Sequence, residues 1–268
     1  MRSAKQQREK QMTGPEAIHP DLKEASVFVT GGASGIGAAL VEGFLRQGAR
    51  VAFFDRADAA ETVEAMEARI GNRPLFIQGD VTDTPALMAA IDTAATTHGP
   101  VTVLVSNAAN DTRYDAQDLT EAEWDSCLDV NLKPYFFAAQ KVAPMMEATG
   151  GGAIVNMSSG SYLMGVARLA PYVASNAAIM GLTRSLAREW GGRGIRINAV
   201  APGWVMTERQ KELWATPEAQ ERHRAQQCLP ELMQAEDLVG GVLFLASKAS
   251  RMVTSQMLVI DAGVSVTG

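Results

Sequence analysis

Short runs of apolar and β-branched residues recur along the chain at Ser26–Thr30, Arg50–Asp55, Leu75–Gly79, Val101–Ser106, Ala153–Met157, Ile195–Ala201 and Met257–Asp261. Most are apolar throughout, as expected of strands covered on both faces. Between them, Ile36–Gln47, Ala59–Ile70, Pro85–Thr97, Glu121–Glu147, Tyr172–Trp190 and Ala235–Ala246 repeat apolar positions at helical spacing. This alternation predicts repeated βαβ units. Right-handed crossovers then give an α/β fold: a single Rossmann-type domain, with a doubly wound seven-stranded parallel sheet and helices on both faces.

Two stretches break the rhythm. Residues 1–22 are polar, with Arg2, Lys5, Arg8 and Lys10 near the start, and predict a flexible tail ahead of a domain over 23–268. Gly203–Glu231 is long, polar and punctuated by Pro217 and Pro230, which predicts a substrate lid inside that domain.

Composition narrows the function classes. With 47% hydrophobic residues in a 268-residue chain, a large single core is available. The net charge of -6 lacks the basic footprint that nucleic acid or an acidic membrane surface would require. Cys127 and Cys228 form no CxxC or closely spaced pair, so a disulfide framework is not expected and a reducing cytoplasm fits. His19, His98 and His223 have no Cys or acidic partners at ligand spacing, and no metal site is expected. No run approaches the ~20 apolar residues of a membrane span, and the first residues lack the apolar core of a signal peptide.

The chemistry begins at Thr30-Gly31-Gly32-Ala33-Ser34-Gly35-Ile36-Gly37. Gly31, Gly35 and Gly37 follow a predicted strand and open a predicted helix. There, backbone amides, with Ser34 and Ile36 in the same turn, approach a pyrophosphate without an intervening side chain. The spacing is TGxxxGxG, not the GxGxxG of the general dinucleotide fingerprint. Asp55 closes the second strand eighteen residues after Gly37, where its carboxylate accepts from adenosine ribose hydroxyls and repels a 2′-phosphate, favouring NAD. A solvated strand-end acid is the structural alternative, and neighbouring Arg56 leaves weak NADP use open.

Further motifs follow in order: Asp80-Val81, Ser106-Asn107-Ala108-Ala109, Asn131 in DVNLK, Ser159 in IVNMSSGS, Tyr172 in YVASN, and Pro202-Gly203. Together with TGGASGIG they make the chain resemble the short-chain dehydrogenase/reductase family from Ser26 to Gly263. The resemblance implies cofactor contacts from Asp80, Val81, Asn107, Ala108, Tyr172, Pro202, Gly203, Val205 and Thr207. Ser106 and Ala109 depart from the family's usual NNAG turn, while Asn107 is retained. RQ at 209–210, TPE at 216–218, AQQC at 225–228, LFLAS at 243–247 and IDAG at 260–263 resemble the branch that oxidises aldoses at C1, such as arabinose, xylose, galactose or fucose dehydrogenases. That implies NAD-dependent oxidation of a sugar, with L-arabinose the first expectation, to its lactone by hydride transfer. The family also implies a homotetramer packed through its long helices.

A sugar site needs polar groups around the hydroxyls and an aromatic face for the C–H groups. Asp111 and Arg113 after the fourth strand, and Trp204 and Gln210 on the lid, are the candidates. Arg209 is a weaker one, and each has a purely structural alternative. Ser159 and Tyr172 are the expected catalytic pair, with the hydroxyl of Ser159 holding the substrate oxygen beside the phenol. Asn131 would hold a relay water, or else only bend its helix.

The family pattern is YxxxK, and here the lysine position is Asn176. An amide carries no net charge and reaches less far, so the term favouring tyrosinate is lost at about 1.4 kcal/mol per pKa unit. Impaired turnover is the expectation. Two alternatives stay open: a non-catalytic NAD-binding pseudoenzyme, and a dehydrogenase of a deoxy-keto sugar acid or polyol.

Overall fold

The computed structural model describes residues 17–265. Seven parallel strands form one sheet: β1 (Ser26–Thr30), β2 (Arg50–Asp55), β3 (Leu75–Gln78), β4 (Val103–Ser106), β5 (Gly152–Met157), β6 (Ile195–Pro202) and β7 (Met257–Ile260), in the order β3-β2-β1-β4-β5-β6-β7. The expected doubly wound sheet is therefore present. Its order reverses between β1 and β4, which pair from Val27↔Val103 to Val29↔Val105. Above such a reversal the two following loops diverge and leave a crevice.

Each face of the sheet has its own apolar layer. On one side, α1 (Gly35–Arg46) buries Leu40, Val41 and Phe44 with Val242 and Leu243 of a later helix, Val239–Ala246. The helix α2 (Ala60–Ile70) adds Val63 and Met66 to that layer, while on the other face α3 (Thr84–His98) packs its Leu87 and Ile91 with Ala138 and Val142. Fully burying a side chain of this kind contributes about 1.5–3 kcal/mol, so these two layers dominate the stability of the domain.

The long helix expected over Glu121–Glu147 is two helices, α4 (Glu121–Asn131) and α5 (Lys133–Ala148), separated at Leu132 (φ -131°, ψ -51°). Pro134 has no N–H to offer the preceding turn. The Asn131 Nδ2 group also donates to the Cys127 carbonyl at 2.9 Å. Break and polar side chain coincide, which releases Asn131 from ordinary helical duty.

Beyond β5 come α6 (Ser161–Met164) and α7 (Ala170–Trp190), and beyond β6 the segment expected to be a lid holds α8 (Glu208–Leu213) and α9 (Pro217–Arg224). The helix Val239–Ala246 is α10. Arg196 on β6 caps its C-terminal end, donating to the carbonyls of Leu245, Ala246 and Ser247 at 2.8–3.2 Å. A cation there complements the free carbonyls of the last turn.

Of the tail expected over 1–22, residues 1–16 lie outside the described residues, and the remainder is docked. Leu22 is buried, the His19 amide donates to Gln47 Oε1 at 2.8 Å, and Asp21 accepts from the Lys248 amide at 2.7 Å. The apolar side chain of Leu22 supplies the anchor that a polarity average over the tail conceals.

At the reversal, the Thr30 hydroxyl accepts from the amides of Asn107 (2.9 Å) and Ala108 (3.1 Å), and Asn107 Nδ2 donates to the carbonyls of Thr30 (3.1 Å) and Gly31 (2.9 Å). Thr30→Val keeps the shape and strips two amides of their acceptor. Unfolding free energy is expected to fall by about 2 kcal/mol, from the usual 1–3 kcal/mol for an orphaned buried group; urea denaturation that finds no loss would contradict this role.

Candidate active site

The crevice above β1 and β4 divides into connected spaces. A groove of about 390 Å³ runs over the glycine-rich turn and is lined by Gly31, Ser34, Gly37, Asp55, Asp80 and Asn107, with Val81 and Ala108 also on its wall. Gly31 and Gly35 have φ of +72° and +54°, a region that side chains rarely adopt. A Cβ at Gly37 would stand 1.7 Å from the Gly31 carbonyl oxygen. Ser34 is the N-cap of α1 and makes no side-chain cap, so the first-turn amides remain available to an anion. These features fit a pyrophosphate.

Asp55 holds the same turn from β2. Its oxygens accept from the Ala33 and Ala57 amides at 2.9 and 3.0 Å. A carboxylate offers about four lone-pair sites, so two remain for a ribose diol. Asp80 is similarly tied, accepting from the amide and hydroxyl of Thr82.

A second cavity, about 470 Å³, lies between β5, α7 and the lid. Tyr172 and Ser159 both face it, as expected. So do Asp111, Arg113, Trp204 and Gln210, which the sequence places far apart. Pro202, Gly203 and Val205 line this cavity and not the nucleotide groove, whereas Ile36 and Thr207 border both. Thr207 is also the N-cap of α8, and its methyl group would lie 3.1 Å from a Cβ on Gly35.

Three of the four expected sugar contacts, Asp111, Trp204 and Gln210, are already linked, together with Arg209. Gln210 Nε2 donates to Asp111 Oδ2 at 2.6 Å, Trp204 Nε1 donates to Gln210 Oε1 at 2.8 Å, and Arg209 Nε donates to Asp111 Oδ1 at 3.1 Å. Arg209 is half-exposed, so its ion pair contributes at most about 1 kcal/mol. The chain of bonds nonetheless ties α8 to the loop after β4. Arg113 stacks its guanidinium over Trp214, 4.0 Å from the ring centroid.

Tyr172 is the candidate base. Its phenol is pushed up to about 12, chiefly by burial, with the Asp111 charge adding to the rise; hydrogen bonding from Ser159 and Asn176 pulls the other way. Asn176, at 3% exposure, turns its Nδ2 back to the Tyr172 carbonyl at 2.8 Å. The amide thus satisfies its own helix. Beside it lies a void of about 70 Å³, bordered by Asn131, Tyr135, Ser158, Tyr172 and Asn176. The Ser158 hydroxyl donates to the Asn176 carbonyl at 3.0 Å and fixes α7 against β5.

Asn131 faces this void with its side chain fully engaged. Its Oδ1 accepts from the Asn110 amide at 2.8 Å and its Nδ2 donates to the Asn110 carbonyl at 3.0 Å. It therefore joins the break after α4 to the loop that carries Asp111 and Arg113. The contact gives the Asn131 side chain a positioning role toward that loop.

Trp214, His223 and Arg222 also line the substrate cavity, and none was anticipated as a site residue. The edge of one of the Trp204 and His223 rings meets the face of the other, with centroids 5.3 Å apart. Their signal was present only as membership of the lid. Which lid side chains point inward depends on the short helices α8 and α9, whose phase the polar sequence hides.

Comparison with known proteins agrees with this geometry. The family model described as "Enoyl-(Acyl carrier protein) reductase", within the short-chain dehydrogenases, matches residues 31–265. The chain is 48% identical over 255 residues to "Probable galactose dehydrogenase GalD" of Rhizobium meliloti, covering 94% of this chain and 100% of that protein. It is 43% identical over 250 residues to D-xylose 1-dehydrogenase of Caulobacter vibrioides, covering 92% and 98%. Among solved structures, Thermoplasma acidophilum aldohexose dehydrogenase superposes with a TM-score of 0.83 at 28% identity, covering 93% of this chain and 97% of that one.

Gly37→Ala should weaken NADH binding at least 100-fold, measured by the fluorescence of the bound dinucleotide, because its methyl group collides with backbone and not with a movable side chain. Unchanged affinity would place the pyrophosphate elsewhere. The glycine cradle, the cavity joined to it and the agreement over nearly the whole chain identify this protein as a member of the short-chain dehydrogenase/reductase family of CH–OH oxidoreductases.

Proposed function

We propose that this protein is an NAD-dependent aldose 1-dehydrogenase whose turnover is limited by Asn176. The observation that carries the reading is the junction of the nucleotide cradle with a largely apolar, aromatic-walled cavity that carries a few polar side chains beside Ser159 and Tyr172. The 1-dehydrogenase relative acts on D-xylose and another relative is named for galactose, which supports a sugar as the substrate class.

In a cyclic aldose the C1 carbon loses a hydride and its hydroxyl loses a proton, leaving the lactone. NAD, when bound, supplies the hydride acceptor. Ser159 holds the C1 oxygen, and the Tyr172 phenolate takes the proton. Asp111, Gln210 and Trp204 orient the remaining hydroxyls and cover one face of the ring. Selection of NAD rests on Asp55, whose charge opposes a 2′-phosphate at the ribose end of the groove.

A phenol near 12 leaves about one molecule in 100,000 ionised at pH 7. The rate of sugar oxidation should therefore rise about tenfold per pH unit through the neutral and mildly alkaline range. Asn176→Lys places a cation beside the phenol, favours the charged form and lowers the pKa. With an aldose and saturating NAD, the lysine form should be at least 100-fold faster at pH 7 and should reach its plateau at lower pH. Equal rates for both forms from pH 6 to 10 would overturn this assignment. If the lysine form binds NADH yet oxidises no sugar, the pseudoenzyme alternative gains the case.

Asp55→Ser removes the charge that excludes the 2′-phosphate. The ratio of NADPH to NADH affinity should rise by at least tenfold, checked by parallel fluorescence titrations; an unmoved ratio would assign selectivity to other residues.

A further inference from the structure

The far wall of the substrate cavity, on the lid side away from the glycine-rich turn, has an imbalance that a neutral sugar does not require. Arg113 Nε and Trp214 Nε1 are buried donors without a protein partner, and the buried His223 Nε2 is also unpartnered. Arg222 borders the same space and makes no ion pair among the described residues. The acids nearby are already committed. Asp111 receives Arg209 and Gln210, and the buried Asp261 accepts from the amides of Gly263 and Ser265 at 2.9 and 2.6 Å.

The result is a cavity bordered by the guanidinium groups of Arg113 and the exposed Arg222, an indole N–H and an imidazole, with the committed Asp111 as the one carboxylate on its lining and Glu218 near Arg222 outside it. Burying unpaired donors is costly unless a ligand satisfies them. Guanidinium geometry suits a carboxylate, which accepts two parallel N–H bonds, better than a lone hydroxyl. Stacking over Trp214 fixes the plane of the Arg113 fork in advance, so little ordering is left for binding.

Resting on the sugar-dehydrogenase reading above, we infer that Arg113, Trp214 and Arg222 form a carboxylate subsite, and that the preferred substrate is an acidic sugar of the uronic acid type oxidised at C1. The acid group sits at the end of the sugar distant from Tyr172. His223 takes the tautomer that donates from Nε2, and its pKa, lowered by burial, keeps the ring neutral around pH 7.

The test uses the NADH-loaded protein and calorimetric titration with two matched pairs, D-galactose with D-galacturonate and D-glucose with D-glucuronate, each differing only at C6. In the better-binding pair the uronate should bind at least tenfold more tightly than its parent. Arg113→Gln should reduce that ratio to about one. Arg222→Gln and Trp214→Phe provide the same check with less disturbance to the loop after β4, and each should reduce the ratio. No uronate preference in either pair, or a preference unmoved by all three variants, overturns the inference. Turnover separates it from the reading on which it rests: a lysine form at 176 that oxidises aldoses without favouring uronates retains the dehydrogenase and removes the subsite. Tight uronate binding without any NAD reduction retains the subsite and removes the dehydrogenase.

Discussion

The architecture hinges on how two neighbouring parallel strands part company. β1 and β4 stay paired up to Val29 and Val105, and beyond that point their loops must separate widely enough for a dinucleotide yet remain fixed relative to each other. One hydroxyl and one amide satisfy both demands. Thr30 accepts two amides from the loop after β4, and Asn107 returns two donors to the loop after β1. Four backbone groups at the divergence thus acquire partners without a sheet ladder to provide them. From that staple the glycine turn runs one way and the Asn110–Arg113 segment the other, so both the nucleotide groove and the substrate cavity inherit their spacing from it.

The second constraint is electrostatic. The walls that exclude water from Tyr172 favour the neutral phenol, and Asp111 reinforces them. A cation from α7 would oppose both effects, but Asn176 directs its amide into its own helix. Hydrogen bonds from Ser159 and Asn176 act in the useful direction without reversing the outcome. The same enclosure that strengthens polar contacts inside the cavity therefore works against ionisation of the phenol, because a low local dielectric amplifies whatever charge balance it encloses.

Much of this was legible in the chain itself. All seven strands could be read from apolar runs because strands buried on both faces leave no competing polar period. The glycine turn and Asp55 follow from local order and spacing, whereas Ser159, Tyr172 and the absent lysine stand out only through the resemblance to the family's motifs. What escaped the sequence depends on packing between distant segments. The break at Leu132 arises from Pro134 and from Asn131 reaching across to Asn110, a contact over 21 positions. Leu22 docks although the residues around it are polar. Trp214, Arg222 and His223 enter the cavity because α8 and α9 turn them inward, and short polar helices carry too little apolar period to reveal which side that is.

The 70 Å³ void beside Asn176 bears on how the chain's history and stability relate to its chemistry. It has room for about two waters at ~30 Å³ each. No neighbouring side chain has swung in to fill it, and Asn176 is fully at ease as a helix residue. Space for a longer side chain is thus present beside Asn176 without any repacking of its neighbours. What holds the helix together at this position is therefore separate from what sets the charge beside the phenol, so the local charge could change there without a change of fold.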